Sequence, residues 1–283
     1  MKINNFFLRI MVLALSLILA LVAFSSCNNE STSSSEPESI PEQSVEESTE
    51  PEPLSLNIGS YNIAHGQFIN YDMQPIADDI LEKDLDIVGL QEVDINADRS
   101  QNIDSLVLLS QMTGYKYYAY YKTVDLATEG QYGVAILSKY PIVETNRFDL
   151  PSPGVEARVL GYAKIDVEGT NVNFFVTHAS FEKEEIRVSQ FEYINTVLKD
   201  FDNFMIAGDF NTSNFEEYKK IENASTLNTA ENNLPTHKKT ESIDNIVYST
   251  DDWGFETPQI LEKDHSDHSM LYSKATLITK SEG

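Results

Sequence analysis

The most constraining feature of this 283-residue chain is that polar side chains stand at one end of each of three apolar runs. These junctions are Gly89-Leu90-Gln91-Glu92, Gly208-Asp209-Phe210-Asn211 and Ser266-Asp267-His268. Side chains at strand ends leave the core together and can converge on one rim. Each alone has an ordinary explanation, such as a solvated carboxylate, a turn residue, a core histidine or a helix cap. Together they predict one site, with the candidates Asn62, Glu92, His178, Asp209, Asn211, Asp244, Asp267 and His268.

The rest of the chain from Leu54 onward alternates strand patterns with helical patterns. Strands are predicted at residues 54–63, 86–93, 115–123, 132–138, 158–167, 172–177 and 203–207, and near Ile243 and His268. Helices are predicted at 75–83, where Ile76, Ile80 and Leu81 share a side, at 102–113 before Gly114, and at 184–198. Ser213 and Glu216 have the spacing of a capping box that opens another helix. This order favours an α/β sandwich with mixed sheets.

The N-terminus has the pattern of an export signal. Lys2 and Arg9 precede an apolar run from Met11 to Phe24, which is shorter than the roughly 20 residues of a spanning helix. Phe24-Ser25-Ser26-Cys27 then resembles the lipobox of bacterial lipoproteins, although leucine is usual where Phe24 stands. The resemblance implies a signal peptide over residues 1–27 and a lipid on Cys27, which would anchor the protein outside the cytoplasm on the bacterial cell membrane. The alternative is an uncleaved signal anchor.

Residues 28–53 are rich in Ser, Glu and Pro and nearly free of apolar side chains, so they are predicted to form a disordered acidic tether. Residues 54–283 then form one domain, in which 18 Lys and Arg residues face 37 Asp and Glu residues, a formal net charge of −19. Such a surface repels polyanions, which disfavours nucleic acid as a partner. Cys27 is the only cysteine, so any metal must bind oxygen and nitrogen ligands, which favours a hard cation.

Seven motifs in order resemble one known family. They are SYNIAHG, GLQEVD, QYGVAILSKYPI, FFVTHAS, IAGDFN, SIDNIVYS and SDHSML, and the resemblance that they carry covers Ser55 to about Leu277. Their order and spacing are similar to those of the endonuclease, exonuclease and phosphatase superfamily. The resemblance implies a four-layer sandwich of two mixed β-sheets flanked by helices. It also implies a phosphoric ester hydrolase that depends on Mg²⁺, with Mn²⁺ as the alternative.

The resemblance also assigns roles to the candidates by position. Glu92 becomes the principal metal-binding carboxylate, with Asn62 and Asp267 nearby. Asp209 and Asn211 face the phosphate and the attacking water, and His178 contacts a phosphate oxygen. Asp244 orients His268. Either Asp209 or His268 can take the proton from water, and the residues leave this choice open.

Four further residues are candidates for substrate binding. Arg99 and Arg158 can supply positive charge to a phosphate, and the alternative for each is a surface ion pair. His65 can reach substrate or cap a loop, and Tyr132 can line the cleft or fill the core. His237 and His265 are interpreted as surface residues. The chain departs from the family pattern at Val134, where Asn is common, and at Asn245, where Tyr is common.

The leading hypothesis is a phosphodiesterase or phosphatase that acts on a small or lipid-linked phosphate outside the cell. The enzyme alternative is a secreted nuclease attached to the cell surface. A third hypothesis, from a different class, is a surface binding protein that has kept the fold without activity. The protein is expected to be a monomer.

Overall fold

The computed structural model describes residues 53–278. The predicted signal peptide, lipidated Cys27 and all of the tether except Pro53 lie outside the described residues, so they stay predictions. Within residues 53–278, no helix combines the length and the apolar character needed to cross a membrane.

Thirteen strands and three α-helices make up the described part of the chain. The strands are β1 (Ser55–Asn62), β2 (Ile87–Ile95), β3 (Tyr117–Asp125), β4 (Gln131–Ser138), β5 (Ile142–Leu150), β6 (Arg158–Val167), β7 (Thr170–His178), β8 (Phe204–Asp209), β9 (Ala224–Thr226), β10 (Asp244–Ser249), β11 (Trp253–Phe255), β12 (Gln259–Leu261) and β13 (Met270–Leu277). The helices are α1 (Gln74–Glu82), α2 (Ser105–Thr113) and α3 (Glu184–Leu198), and short 3₁₀ turns lie at Ala64–Ile69, Asp98–Ser100 and Glu217–Lys220.

The strands form two mixed sheets. The first has the order β11-β13-β1-β2-β4-β3, with β12 paired to β13, and the second has the order β5-β6-β7-β8-β10-β9. The β1/β2 and β7/β8 pairs are parallel, and the other pairs are antiparallel. Each sheet therefore contains one parallel pair, whose two strands end at the same edge.

Three apolar clusters show how the layers stack. One is shared by the inner faces of the two sheets and contains Ile58, Val134 and Phe174. A second lies between the first sheet and helices α1 and α2, and a third between the second sheet and α3. The predicted four-layer sandwich of two mixed β-sheets flanked by helices is confirmed.

Local sequence signals explain several element ends. Helix α2 begins after Asp104, whose side chain accepts a hydrogen bond from the backbone N–H of Val107 at 2.9 Å. It ends at Gly114, which has a left-handed φ of 77° as predicted for this position. The β6/β7 hairpin turns at Glu168 and Gly169, with φ of 53° and 93°, the two positive values that a tight hairpin turn requires.

Two local predictions are wrong. Ser213 and Glu216 do not form a capping box, because the 3₁₀ turn at Glu217–Lys220 has no side-chain cap and Ser213 Oγ instead accepts a hydrogen bond from the Ser242 backbone. Leu81 does not share the buried side of α1, since it is 43% exposed while Ile76 and Ile80 are fully buried. One step of 100° around the helix separates Leu81 from Ile80.

The two sheets approach closely beneath the edge where the parallel strands end. A Cβ added to Gly89 of β2 would lie 2.5 Å from the Cβ of Ala207 in β8. Glu92 follows Gly89 by three residues, and Asp209 follows Ala207 by two. The absence of a side chain at Gly89 therefore brings the ends of β2 and β8 together.

Candidate active site

Six strand ends meet at this edge of the sandwich. Asn62 ends β1, His178 and Asp209 end the parallel pair β7/β8 opposite each other, and Asp244 opens β10 opposite Asp209. Glu92 lies near the end of β2, and His268 directly precedes β13. The chain crosses the edge in both directions, so residues far apart in sequence converge.

Glu92 is held by an irregularity in its strand. The register between β2 and β4 shifts between Leu90 and Val93, which indicates a bulge, and Glu92 has a left-handed φ of 56°. Its Oε1 accepts a hydrogen bond from Asn62 Nδ2 at 3.2 Å, and its Oε2 lies 3.5 Å from His65 Nδ1. Burial raises the pKa of Glu92, but the His65 imidazole and other nearby groups outweigh burial and lower the pKa to about 2. Glu92 is therefore ionised at any physiological pH.

Asp209 lies at the centre of the site and is almost fully buried. Its Oδ2 accepts a hydrogen bond from Asn62 Nδ2 at 3.0 Å, and its Oδ1 accepts one from the Asn211 backbone at 3.0 Å. Burial, followed by the charge of Asp244, raises the pKa of Asp209 to about 7. This carboxyl group can gain or lose a proton near neutral pH.

His268 forms a buried pair with Asp244. The Nδ1 of His268 lies 2.8 Å from Asp244 Oδ2, and its Nε2 lies 3.7 Å from Asp209 Oδ2. Burial lowers the pKa of His268, but the charge and hydrogen bond of Asp244 raise it more, to about 10. The pair thus favours the protonated imidazole, and its hydrogen bond leaves Nε2 facing Asp209.

His178 and Arg158 form the opposite wall. The Nε2 of His178 lies 3.5 Å from Asp209 Oδ2, and its Nδ1 lies 3.3 Å from the hydroxyl of Tyr132. Burial and the neighbouring Arg158 lower the pKa of His178 to about 3, so its ring is neutral. Arg158 is only 2% exposed and its Nη1 lies 3.0 Å from Glu156, yet its Nε has no hydrogen-bond partner among the described residues. A buried guanidinium with an unused donor suits an anionic ligand.

These side chains surround an open cavity of about 200 Å³. Most of the residues predicted for the site line it: Glu92, Tyr132, Arg158, His178, Asp209, Asn211, Asp267 and His268. Asn62, His65 and Asp244 stand behind these residues and contact Glu92, Asp209 or His268. The structure brings these candidates together, and their individual roles stay predictions.

Arg99 is the one candidate that lies apart from the cavity. Its Nε and Nη2 donate to the two oxygens of buried Asp94 at 2.8 and 2.7 Å, and its guanidinium lies 5.2 Å from the centre of the Tyr132 ring. Arg99 therefore lies against the ring of Tyr132, which lines the cavity, and a direct contact of Arg99 with substrate stays a prediction.

His237 is a cavity residue that the sequence interpretation missed. Its side chain is only 14% exposed, and its ring centre lies 4.5 Å from that of His268, so its interpretation as a surface residue is wrong. No apolar strand run precedes it, and its position depends on pairing with distant residues. His265 is more exposed, at 32%, and its Nδ1 lies 2.9 Å from Asp79.

The donor atoms at the site fit a divalent cation. Asp209, Asp244 and His268 offer ligand atoms that all lie within 4.8 Å of one another, and so do His237, Asp267 and His268. Glu92 belongs to neither group among the described residues, but Asn62 Nδ2 bridges its carboxylate to that of Asp209. One oxygen of buried Asp244, Oδ1, has no hydrogen-bond partner among the described residues. This excess of carboxylate oxygens is the environment that hard cations prefer.

Comparisons with known proteins agree with this geometry. The model of the Endonuclease/Exonuclease/phosphatase family matches residues 59–268, which include every candidate from Asn62 to His268. No curated protein is significantly similar to the chain.

Several solved structures share the fold at low identity. A Bacteroides thetaiotaomicron protein of this family is 18% identical with a TM-score of 0.66, over 82% of this chain and 98% of that one. The human Nocturnin catalytic domain is 20% identical with a TM-score of 0.62, over 80% and 94%. A mannosyl-6-phosphatase of Bacteroides thetaiotaomicron is 18% identical with a TM-score of 0.58, over 79% and 100%.

Proposed function

We propose a function from the premise that this chain belongs to the Endonuclease/Exonuclease/phosphatase family, whose members are hydrolases that act on phosphate esters. The proposed reaction is Mg²⁺-dependent hydrolysis of a phosphate ester, by phosphodiesterase or phosphatase activity. The proposed substrate is a small or lipid-linked phosphate outside the cell.

One observation carries this proposal. A single cavity combines His268 backed by Asp244, the carboxyl group of Asp209 and the buried guanidinium of Arg158. The first two can move protons, and the third can neutralise a phosphate. A site that only bound an anion would not need a carboxyl group with a pKa of about 7 beside it.

Asp209 is the proposed proton acceptor for the attacking water. Its pKa of about 7 lets it take a proton near neutral pH, whereas His268, with a pKa of about 10, already carries one. Protonated His268 can donate from Nε2 to the phosphate or to the leaving oxygen. Asp244 holds that imidazole in place through Nδ1.

Arg158 and His178 are the proposed groups for the phosphate oxygens. The unpartnered Nε of Arg158 offers a charged hydrogen bond, and neutral His178 adds a ring nitrogen at the same wall. Asn211 lies beside them, with its Nδ2 donating to the backbone oxygen of Ala179 at 3.0 Å. This contact orients its side-chain oxygen for the attacking water.

The residues proposed to hold Mg²⁺ are Glu92 and Asp267, with Asn62 supporting Glu92. Members of the family depend on metal, and these oxygen donors suit Mg²⁺ or Mn²⁺. When bound, the cation supplies Lewis-acid stabilisation of the charge that develops on the phosphate and the leaving group.

The choice of a small or lipid-linked substrate rests on charge and on the cavity rim. A net charge of −19 over residues 54–283 opposes long polyanions, since a nucleic-acid surface normally carries basic residues. Phe181 lines the cavity and is 65% exposed, which leaves an apolar contact for the part of the substrate beyond the phosphate.

The proposed place of action follows from the N-terminus. A lipid on Cys27 and the acidic tether would hold the domain at the outer face of the cell membrane. Mass spectrometry of the mature N-terminus should find a lipidated Cys27, and an intact Met1 would refute this part of the proposal.

The experiment for the activity uses the purified protein with and without Mg²⁺. The substrates are an aryl phosphodiester, an aryl phosphomonoester, sphingomyelin, an inositol phosphate, a sugar phosphate, an RNA and supercoiled DNA. Each is repeated with His268→Ala and with His265→Ala, a matched control because His265 also pairs with a carboxylate but lies outside the cavity. Metal-dependent turnover that His268→Ala removes and His265→Ala keeps is expected. No metal-dependent turnover on any substrate, or equal turnover in both variants, would refute the hydrolase, and turnover of DNA or RNA alone would indicate the nuclease.

A further inference from the structure

His237 takes no part in the proposed reaction, yet the backbone fixes it beside His268. The two residues face each other across an isolated antiparallel bridge, and such opposed residues carry their side chains on the same face. Hydrogen bonds from Ser269 N to Thr236 O, at 2.6 Å, and from Lys238 N to Asp267 O, at 2.9 Å, hold the two segments together.

The turn after His237 is strained. Lys238 and Lys239 have φ of 46° and 61°, a pair of left-handed values that hairpin turns normally assign to Asn and Gly. The hydrogen bond from Thr240 N to His237 O, at 3.0 Å, closes this turn. Strain of this kind persists where the surrounding structure requires a geometry, and it is common at functional sites.

Both imidazoles are oriented in the same way. His237 Nδ1 lies 2.6 Å from Glu241 Oε2, and His268 Nδ1 lies 2.8 Å from Asp244 Oδ2. Each ring therefore has one nitrogen tied to a carboxylate and the other, Nε2, left to face the cavity. A carboxylate behind the second nitrogen is the usual arrangement of a histidine that binds a metal, since it fixes the tautomer and the ring direction.

The carboxylate of Asp267 lies close to both imidazoles. Asp267 Oδ2 lies 3.6 Å from His237 Nε2, and one ligand atom from each of His237, Asp267 and His268 lies within 4.8 Å of the others. Two imidazoles with one carboxylate differ from the oxygen donors around Glu92. Imidazole suits Zn²⁺ and related transition metals, whereas carboxylates and amides suit Mg²⁺.

We propose that His237, Asp267 and His268 form a second cation site, which binds a nitrogen-preferring divalent metal such as Zn²⁺ or Co²⁺. This site shares Asp267 with the proposed Mg²⁺ site at Glu92, but its two imidazoles give it a different metal preference. A metal there holds the Nε2 of His268, and so withdraws from hydrolysis the imidazole that acts on the phosphate. That last consequence rests on the proposed function, whereas the binding of the metal does not.

The test measures binding directly, so that it is independent of any hydrolysis. The metal-free protein is placed in excess Mg²⁺, titrated with Zn²⁺ against a colorimetric chelator, and titrated with Co²⁺ while its visible absorption is recorded. The expected result is one Zn²⁺ per chain that Mg²⁺ does not displace, with Co²⁺ absorption bands typical of nitrogen and oxygen ligands.

Three variants decide the assignment. His237→Phe keeps a ring against His268 but has no ligand atom, and should lose this Zn²⁺. Glu241→Gln keeps the ligands but weakens the orientation of His237, and should lower the affinity about 10- to 100-fold. His265→Phe, the same change at a histidine paired with Asp79, should bind as the wild type does.

The proposal is overturned if the wild type binds no Zn²⁺ in excess Mg²⁺, or if His237→Phe binds it as tightly as the wild type. The second result would indicate that His237 is only an ion-pair partner of Glu241 and Asp267. Circular dichroism melts show whether His237→Phe is folded. If it is unfolded, the affinity of Glu241→Gln decides, and an affinity equal to the wild type overturns the site.

Discussion

The two sides of the active site use similar residue types in opposite ways. We define the Glu92 cluster as Asn62, His65 and Glu92, and the His268 cluster as Asp209, Asp244 and His268. The side chain of Glu92 is 26% exposed and its pKa is lowered to about 2, whereas Asp209 is 2% exposed and its pKa is raised to about 7. Asn62 Nδ2 joins the two clusters by hydrogen bonds to both carboxylates.

This difference indicates a division of labour between the clusters. A carboxylate that never takes a proton is a permanent negative charge, and it can hold a cation at any physiological pH. A carboxyl group with a pKa near neutrality is poised to exchange a proton. The balance between burial and the neighbouring groups decides between the two outcomes, since burial raises both pKa values but is outweighed at Glu92 by groups such as His65.

The largest expected effect comes from removing the cation that the Glu92 cluster is proposed to hold. Chelation of divalent metals should abolish hydrolysis, because it removes the Lewis acid that is proposed to stabilise the charge on the phosphate and on the leaving group. Addition of Mg²⁺ in excess of the chelator should restore activity, and hydrolysis of an aryl phosphodiester measures both steps. Full activity in chelator would contradict the metal role of this cluster.

The next effect concerns the His268 cluster alone. Asp209→Asn keeps the shape and the contact with Asn62 but removes the proton acceptor, so kcat should fall about 10²- to 10⁴-fold. Steady-state kinetics at saturating Mg²⁺ check this value. A kcat within a few-fold of the wild type would assign the proton to another group, while thermal melts verify that the variant is folded.

A smaller effect tests how the two clusters are held together. Gly89→Ala places a Cβ against Ala207 between the sheets, and such overpacking should lower the free energy of unfolding by about 1–3 kcal/mol. Gly254→Ala is the matched control, since only one atom lies within 4 Å of its added Cβ, at 3.9 Å. Urea denaturation of both variants makes the comparison, and equal stability would show that the sheets are not in tight contact at Gly89.

Most of the fold could be predicted because its strands carry their own signal. β6 and α3 match the predicted residues 158–167 and 184–198, since both have clear apolar or helical patterns. β5 was missed because it is largely exposed and mixes Glu, Asn and Arg, as a strand at the edge of a sheet can. β9, β11 and β12 have three residues each, too few for a pattern.

The residues of the site likewise divide into those that the sequence pattern could predict and those that it could not. Glu92 and Asp209 could be found because each follows an apolar run, and His268 because it precedes one; strand ends converge in any sheet of this kind. His237 could not be found, because it enters the cavity through a bridge to His268, which lies 31 residues further along the chain. The pairing of Arg99 with Asp94 depends on how the chain turns after β2, which the sequence pattern does not specify.

The division between the clusters is tested most directly by the Mg²⁺ dependence of kcat in Glu92→Gln and in His268→Gln, each beside the wild type. If the Glu92 cluster holds the cation and the His268 cluster handles the proton, Glu92→Gln raises the Mg²⁺ concentration needed for half-maximal activity. His268→Gln then lowers kcat at every Mg²⁺ concentration without moving that midpoint. The same change of midpoint in both variants, or a change in His268→Gln alone, would contradict the account.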